Sequence, residues 1–221
     1  MIELLSIHIA KTGGRSFYEI LKNEYGPQLD PRTRRIDYFP GKDYSKPLED
    51  RIPDGISVMH GHLHYAHIAN IHRLHKAKVI TWMRDPVDRV ISNYYYMIGM
   101  VQARGDKHPH YRKRGHTLLE YANDSIPNKM AVCLEGIHLE ELFFIGFQET
   151  FGEDVEKLAK LLGWEKPVPD VRLNTGLDFD SYRTAPTPLE SVTGEMKEQI
   201  AILNREDIRL YEEARSLKMQ S

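Results

Sequence analysis

The order of elements along this chain predicts an α/β fold: a central, mostly parallel sheet covered by helices on both faces. Three observations carry that prediction. Short apolar runs alternate with stretches of helical periodicity. The first run, ending near Ala10, passes through Lys11-Thr12-Gly13-Gly14 into a helix. Another, Lys78 to Met83, ends in Arg84-Asp85-Pro86, which is a helix-start signal.

Leu4 to Ala10 reads as a buried strand, and Ser16 to Tyr25 as a helix with Phe17, Ile20 and Leu21 on one face. Gly26 to Gly55 is rich in Pro, Gly, Asp and Arg, and predicts irregular surface structure. Ile56 to Met59 is a short strand, Tyr65 to His75 a helix, and Lys78 to Met83 an apolar strand. Asp85 then stands at an N-cap and Pro86 at the first helical position, where a missing N–H costs nothing. Val87, Val90, Ile91, Tyr94, Tyr95, Ile98 and Val101 recur at helical spacing behind them. Gly105 to Gly115 is a basic loop and Leu118 to Asn123 a helix. Leu142 to Phe147 is a further buried strand, followed by a helix through Leu162. Pro167 to Pro188 reads as irregular. Ile200 to Leu217 reads as one closing helix with Leu203, Ile208, Tyr211 and Ala214 on its apolar side.

Composition narrows the function classes. The 221 residues suit one domain, 1–221, with a full hydrophobic core. Hydrophobic content of 41% with 28% charged residues is ordinary for a soluble globular protein. A net charge of −2 gives no global field toward nucleic acid or a membrane surface, so any anion site must be local. Cys133 is the only cysteine, which excludes an internal disulfide and points to a reducing, cytoplasmic setting. No apolar run approaches the roughly 18 residues of a membrane span. Met1 to Ala10 lacks the basic region and cleavage site of a signal peptide. A membrane anchor removed from a longer chain is left open, as is the oligomeric state.

The segment His8-Ile9-Ala10-Lys11-Thr12-Gly13-Gly14-Arg15-Ser16 joins strand to helix in the manner of a phosphate loop. The N–H groups of a helix N-terminus carry the positive end of the dipole, and glycines let backbone approach an anion. Lys11 adds a charge, and Thr12 and Ser16 add hydroxyls. Both glycines follow the Lys-Thr pair, so this is not the Walker pattern, in which they precede it. The second segment, Arg84-Asp85-Pro86-Val87-Asp88-Arg89-Val90-Ile91-Ser92, places an arginine at the carboxyl end of a strand, where ligands bind in open α/β sheets. Ser92 follows Asp85 by two turns, on the same side of the helix. Together Arg84 and Ser92 suit a second phosphate; the competing reading pairs Arg84 with Asp88.

These two segments, with His60-Gly61-His62, resemble the cofactor loops of the PAPS-dependent sulfotransferases. PAPS is 3′-phosphoadenosine 5′-phosphosulfate. Within that family the resemblance is to the carbohydrate branch, and most of all to heparan sulfate 2-O-sulfotransferases. It is carried by His8 to Phe17, His60 to His62 with the following helix, and Arg84 to Tyr96. Weaker likeness runs through Phe143 to Glu149 and Asn204 to Ala214. The resemblance implies a P-loop-like three-layer fold. It further implies that Lys11, Thr12, Gly13, Gly14, Arg15, Ser16 and Phe17 wrap the 5′-phosphosulfate and that Arg84 and Ser92 hold the 3′-phosphate. By the same resemblance Lys11 stabilises charge on the leaving phosphate, His62 is the general base, and His60 is a nearby supporting group. A loop around Asn174 to Pro188 would close over the adenine and 3′-phosphate. Here the sequence departs from the basic pattern of the 2-O enzymes, and Arg183 is the candidate.

The implied reaction is in-line sulfuryl transfer from PAPS to a hydroxyl acceptor, a glycan or glycoconjugate, by positioning and electrostatics. No metal is expected. His60, His62 and His64 alternate as zinc ligands on a strand would, but no cysteine or nearby carboxylate completes a site. Arg104 to Arg114, with Lys107, Arg112, Lys113 and Arg114, reads either as an anchor for an anionic acceptor or as solvated surface. Tyr94 to Tyr96 reads as helix packing. Two other functions fit the phosphate signals less closely: a P-loop kinase for a small hydroxylated substrate, and a nucleotide-binding module without catalysis.

Overall fold

The structure, a computed structural model, describes residues 1–30, 49–107, 111–169, 171 and 191–220. Arg183 and the rest of the Asn174 to Pro188 loop lie outside the described residues. Four strands, β1 (Leu4–Ile7), β2 (Val58–Gly61), β3 (Lys78–Met83) and β4 (Phe144–Phe147), form one sheet in the order β2-β1-β3-β4. Every pairing is parallel, with Leu4 opposite both Val58 and Lys78, and Ile80 opposite Phe144.

Strand side chains alternate between the two faces. Leu4, Val58, Ile80, Trp82 and Phe144 pack on one face with Phe17, Ile20 and Leu21 of α1 (Gly14–Tyr25) and Val155 and Leu158 of α6 (Phe151–Leu162). Leu5, Ile7, Met59, Val79, Met83 and Phe147 pack on the other. They meet Ile68 and Ile71 of α2 (Tyr65–His75), Met130 and Cys133 of α5 (Lys129–Leu134) and Ala214 of α8 (Arg205–Gln220). Helix, sheet and helix thus make the three layers the sequence predicts. Each fully buried Leu, Ile or Phe in them contributes about 1.5–3 kcal/mol. A third cluster joins α3 (Pro86–Arg104), α4 (Leu118–Asn123) and α7 (Gly194–Leu203) through Tyr94, Met97, Tyr121 and Ile200.

Several boundaries depart from the periodicity. β2 runs to Gly61 rather than stopping at Met59, which puts His60 inside the sheet. The closing helix is two helices. Asn204 turns its side chain onto the Ile200 carbonyl (2.9 Å) and accepts the Asn128 N–H (3.1 Å), so the chain bends there instead of continuing. Its N-cap is Thr193, which accepts from the Met196 N–H. Helix α5 carries no sequence signal; it is held by the Asp207 carboxylate from far along the chain, which accepts the N–H groups of Met130 (3.1 Å) and Ala131 (2.9 Å).

Strand order β2-β1-β3 has a consequence for function. The chain leaves β1 toward β2 through α1 on one face, and leaves β2 toward β3 through α2 on the other. A crevice therefore opens at the carboxyl ends of β1 and β3, where ligands of such sheets bind.

Candidate active site

Three loops meet at that crevice: residues 8–13 after β1, His62 after β2, and Arg84 after β3. The first is shaped by its own backbone. Lys11 adopts the left-handed region (φ 73), a conformation that costs a non-glycine residue about 1–2 kcal/mol. The Thr12 hydroxyl, fully buried, donates to the Ile9 carbonyl (2.8 Å) and closes the turn. Gly13 (φ 90) is the N-cap of α1, and no side chain caps that helix. The first helical bond runs from the Phe17 N–H to the Gly13 carbonyl, so the N–H groups before it emerge at the helix end rather than inside it.

Arg84 reaches the same loop. Its guanidinium donates to the Lys11 carbonyl (3.4 Å), so the two candidate phosphate segments are in contact, and Arg84 turns to Lys11 rather than to Asp88. The Asp88 N–H is instead taken by the Asp85 carboxylate (2.9 Å), the cap expected from the sequence. The Lys11 ammonium lies 4.3 Å from the ring centroid of Tyr96. Ser92 precedes Tyr96 by one turn on the same face of α3, so this face is turned toward the loop. Burial, with Arg84 and Arg15 nearby, lowers the Lys11 pKa to about 8.

The histidines form a stack. His8 lies parallel to His62 (centroids 4.3 Å apart) and to His60 (5.2 Å). His60 is buried within β2. Its Nε2–H donates to the Gly14 carbonyl (3.0 Å), and its Nδ1 accepts the Ser6 hydroxyl (2.8 Å). A carbonyl can only accept, so both protons are placed and both ring nitrogens are engaged. Burial holds the His60 pKa down at about 3. His62, half-buried, donates Nδ1–H to the His8 carbonyl (2.9 Å), which leaves Nε2 as the lone-pair nitrogen. Its pKa is lowered by burial first; the His8 bond opposes that shift, and the charge of Lys129 adds to it.

Phe17 sits beneath the loop, fully buried against Trp82 (5.0 Å) and edge-on to His60 (5.7 Å). Arg15 is exposed and Ser16 buried on the first turn of α1. In the basic stretch, Lys113 is bound to Asp124 through its main-chain oxygen (3.2 Å) and carboxylate (3.7 Å), while Arg112 and Arg114 are exposed.

Three contributors carried no assigned role in the sequence. His8 orders His62 by stacking and by its carbonyl. Tyr96 carries the Lys11 ammonium, and its position one turn after Ser92 was the available signal. Glu149 accepts the Asp85 N–H (2.8 Å) and so clamps the turn that bears Arg84. Behind it stands Tyr211 of α8, whose pKa is raised to about 12 by burial first and then by Glu149.

Among the described residues no group of three His, Cys, Asp or Glu side chains is arranged to hold a metal ion, and no helix is long and apolar enough to cross a membrane.

A family model described as "Sulfotransferase domain" matches residues 3–164, most of the chain and all three loops. The chain belongs to the sulfotransferase family. Its fold is similar to that of a sulfotransferase from Alicyclobacillus acidocaldarius (TM-score 0.52, 16% identity, covering 98% of this chain and 95% of that one). It is also similar to mouse sulfotransferase SULT7A1, solved in complex with PAP (TM-score 0.59, 14% identity, covering 99% of this chain and 88% of that one). A search of curated protein sequences found no match.

Proposed function

We propose that this chain transfers a sulfuryl group from PAPS to a hydroxyl of a carbohydrate acceptor, with His62 as general base. The observation that carries this reading is the convergence of the Lys11 loop, His62 and Arg84 at the carboxyl ends of three adjacent parallel strands. A similar fold that holds PAP, in the mouse enzyme, supports the donor. The His60-Gly61-His62 triplet, which resembles that of the heparan sulfate 2-O-sulfotransferases, supports the carbohydrate acceptor.

The chemistry assigned to each residue is the one the resemblance implies, and the surroundings of Lys11, His60, His62 and Arg84 support it. The loop Lys11 to Phe17 surrounds the 5′-phosphosulfate, with the Gly13, Gly14, Arg15 and Ser16 backbone at the helix end, the Thr12 hydroxyl fixing the turn, and Phe17 as the buried floor. Arg84 and Ser92 take the 3′-phosphate, and Arg183 is assigned to the same phosphate from the loop beyond. The acceptor oxygen forms a bond to sulfur as the sulfur–oxygen bond to the 5′-phosphate breaks. His62 Nε2 takes the acceptor proton, and Lys11 meets the charge left on the phosphate oxygen. His60 is a positioning residue, because both of its nitrogens are engaged. No step calls for a metal. Residues 1–221 act as a single sulfotransferase domain, since Ile200 and Ala214 from the last two helices join the buried clusters.

Calorimetry with 3′,5′-ADP, 5′-AMP and ATP tests the donor site. A site built for a 3′-phosphate selects 3′,5′-ADP, because without that phosphate Arg84 loses a charged partner. Equal affinities refute the roles of Arg84 and Ser92, and preference for Mg-ATP favours a kinase. Turnover of PAPS with a panel of glycans and simple alcohols separates an enzyme from a nucleotide-binding module.

A further inference from the structure

One face of α8 holds the turn that carries Arg84. Asp207, Tyr211, Ala214 and Lys218 recur at helical spacing along it. The Asp207 carboxylate lies 3.7 Å from the Arg89 guanidinium in α3, and both side chains are buried. Ala214 packs into the cluster on the α2 face of the sheet. Lys218 donates to the Thr150 hydroxyl (2.9 Å) and pairs with Asp154, which also accepts the Phe147 N–H (2.8 Å). The helix is thus tied to α3 near its start and to the end of β4 near its finish, and Tyr211 lies between the two ties.

Tyr211 packs edge-on against Phe147 (5.5 Å), and its hydroxyl stands beside Glu149, whose charge reaches it. Glu149 in turn accepts the Asp85 N–H (2.8 Å). That N–H is the backbone donor the turn has to offer, because Pro86 has none. The Asp85 carboxylate is itself occupied by the Asp88 N–H (2.9 Å).

Arg84 ends β3 and Ser92 lies two turns into α3, so the angle at which the chain leaves Asp85 decides how guanidinium and hydroxyl stand to each other. Two such groups serve one phosphate only when held within about 0.5 Å of the productive geometry.

We propose that Glu149 and Tyr211 are positioning residues for the 3′-phosphate of the donor: α8, anchored through Asp207 and Lys218, presents Tyr211 to Glu149, and Glu149 fixes the turn that sets Arg84 against Ser92. The inference rests on the donor site proposed above and deepens it, since selectivity for the 3′-phosphate then depends on a helix more than 100 residues further along the chain.

The test reads the preference for 3′,5′-ADP over 5′-AMP by calorimetry on the full chain. Asp207→Asn would strand the buried Arg89 charge and confound folding, whereas Glu149 is exposed and its loss spares the core. Glu149→Ala and Glu149→Gln both remove a negative charge, which by itself favours a phosphate. They differ because glutamine keeps an oxygen for the Asp85 N–H. Glu149→Gln is therefore expected to keep or raise the wild-type preference. Glu149→Ala is expected to fall about two- to tenfold below Glu149→Gln, the worth of one hydrogen bond, with 5′-AMP affinity the same in both. Tyr211→Phe keeps the ring on Phe147 and loses the hydroxyl, and should lower the preference about twofold. Equal preferences in the two Glu149 variants overturn the proposal. So does a loss in Glu149→Ala that weakens 5′-AMP as much as 3′,5′-ADP, which marks a general defect of the site. An unchanged preference in Tyr211→Phe overturns the role of α8. A wild-type protein without the preference sinks the donor-site reading of Arg84 and Ser92, and this inference with it, before any variant is made.

Discussion

The Nδ1–H of His62 donates to the main-chain oxygen of His8 over 2.9 Å, while the two rings stack 4.3 Å apart. The bond settles which nitrogen holds the proton, and so which one can take another. His62→Asn retains a side-chain N–H for the His8 carbonyl but has no basic nitrogen. It is expected to fold like the wild type, to bind 3′,5′-ADP normally, and to lose about 10²–10⁴-fold in turnover, the worth of a positioned base. His62→Ala should lose as much. Near-normal turnover of either variant on a true acceptor places the base elsewhere.

The pH profile follows from two depressed pKa values of opposite consequence. As the proposed base, His62 would work unprotonated, and burial sets its pKa below the ordinary 6.5. kcat/KM should therefore fall on acidification only below pH 6.5. In its proposed role Lys11 would work protonated, and its pKa of about 8 predicts a second decline as pH rises through about 8. An arginine stays charged across this range. Lys11→Arg should thus move the alkaline limb out of view whatever it does to the maximum. An alkaline limb that stays near pH 8 in that variant assigns it to another group.

The buried His60 makes stability depend on pH. Its pKa is about 3 when folded and about 6.5 when unfolded, so the unfolded chain binds the extra proton between those values. Stability is then fully present above pH 6.5 and is lost as pH falls toward 3, with a slope of up to about 1.4 kcal/mol per pH unit. His8, whose pKa burial also lowers, acts in the same sense. Urea unfolding between pH 4.5 and 6.5, above the range where most carboxylates titrate (about 4), isolates the histidines. His60→Asn should flatten the slope there and lower stability at pH 7 by about 1–3 kcal/mol, because Ser6 or Gly14 loses a buried partner. An unchanged slope shows that His60 titrates normally.

The turns that bear the candidate site were far more legible in the sequence than the contacts that support them. Strand-to-helix turns are local: Lys11-Thr12-Gly13-Gly14 and Arg84-Asp85-Pro86 announce themselves by residues a few positions apart, and the helices after them start where the signals lie. The alternation of apolar runs was enough for a parallel sheet. Nothing local announces α5, because its cap is Asp207, 76 residues from Ala131. The same holds for Asn204, which reads as one polar residue in a helical pattern until its partner Asn128 is in place. Glu149 likewise serves a turn 64 residues earlier. Such contacts depend on how the layers close, which periodicity does not encode.

At Gly14 local and tertiary preferences oppose each other. It begins α1, and alanine is favoured over glycine within a helix by about 0.5–1 kcal/mol. A Cβ built there, however, falls 2.0 Å from Cδ2 of His8 and 2.2 Å from its Nε2. The ring cannot simply withdraw, since it is stacked on His62 and His60. The steric term is the larger, and Gly14→Ala is expected to destabilise by about 1–3 kcal/mol and to reduce turnover by displacing the imidazole that orders His62. The His8 carbonyl belongs to the backbone and survives His8→Ala, which removes the obstructing ring. In that background Gly14→Ala should become neutral or mildly stabilising, so the two substitutions couple strongly. Urea unfolding of the wild type, both single variants and the double variant measures the coupling. If Gly14→Ala costs the same with and without the His8 ring, the close approach is not what requires glycine there, and the histidine stack does not set the geometry of the loop.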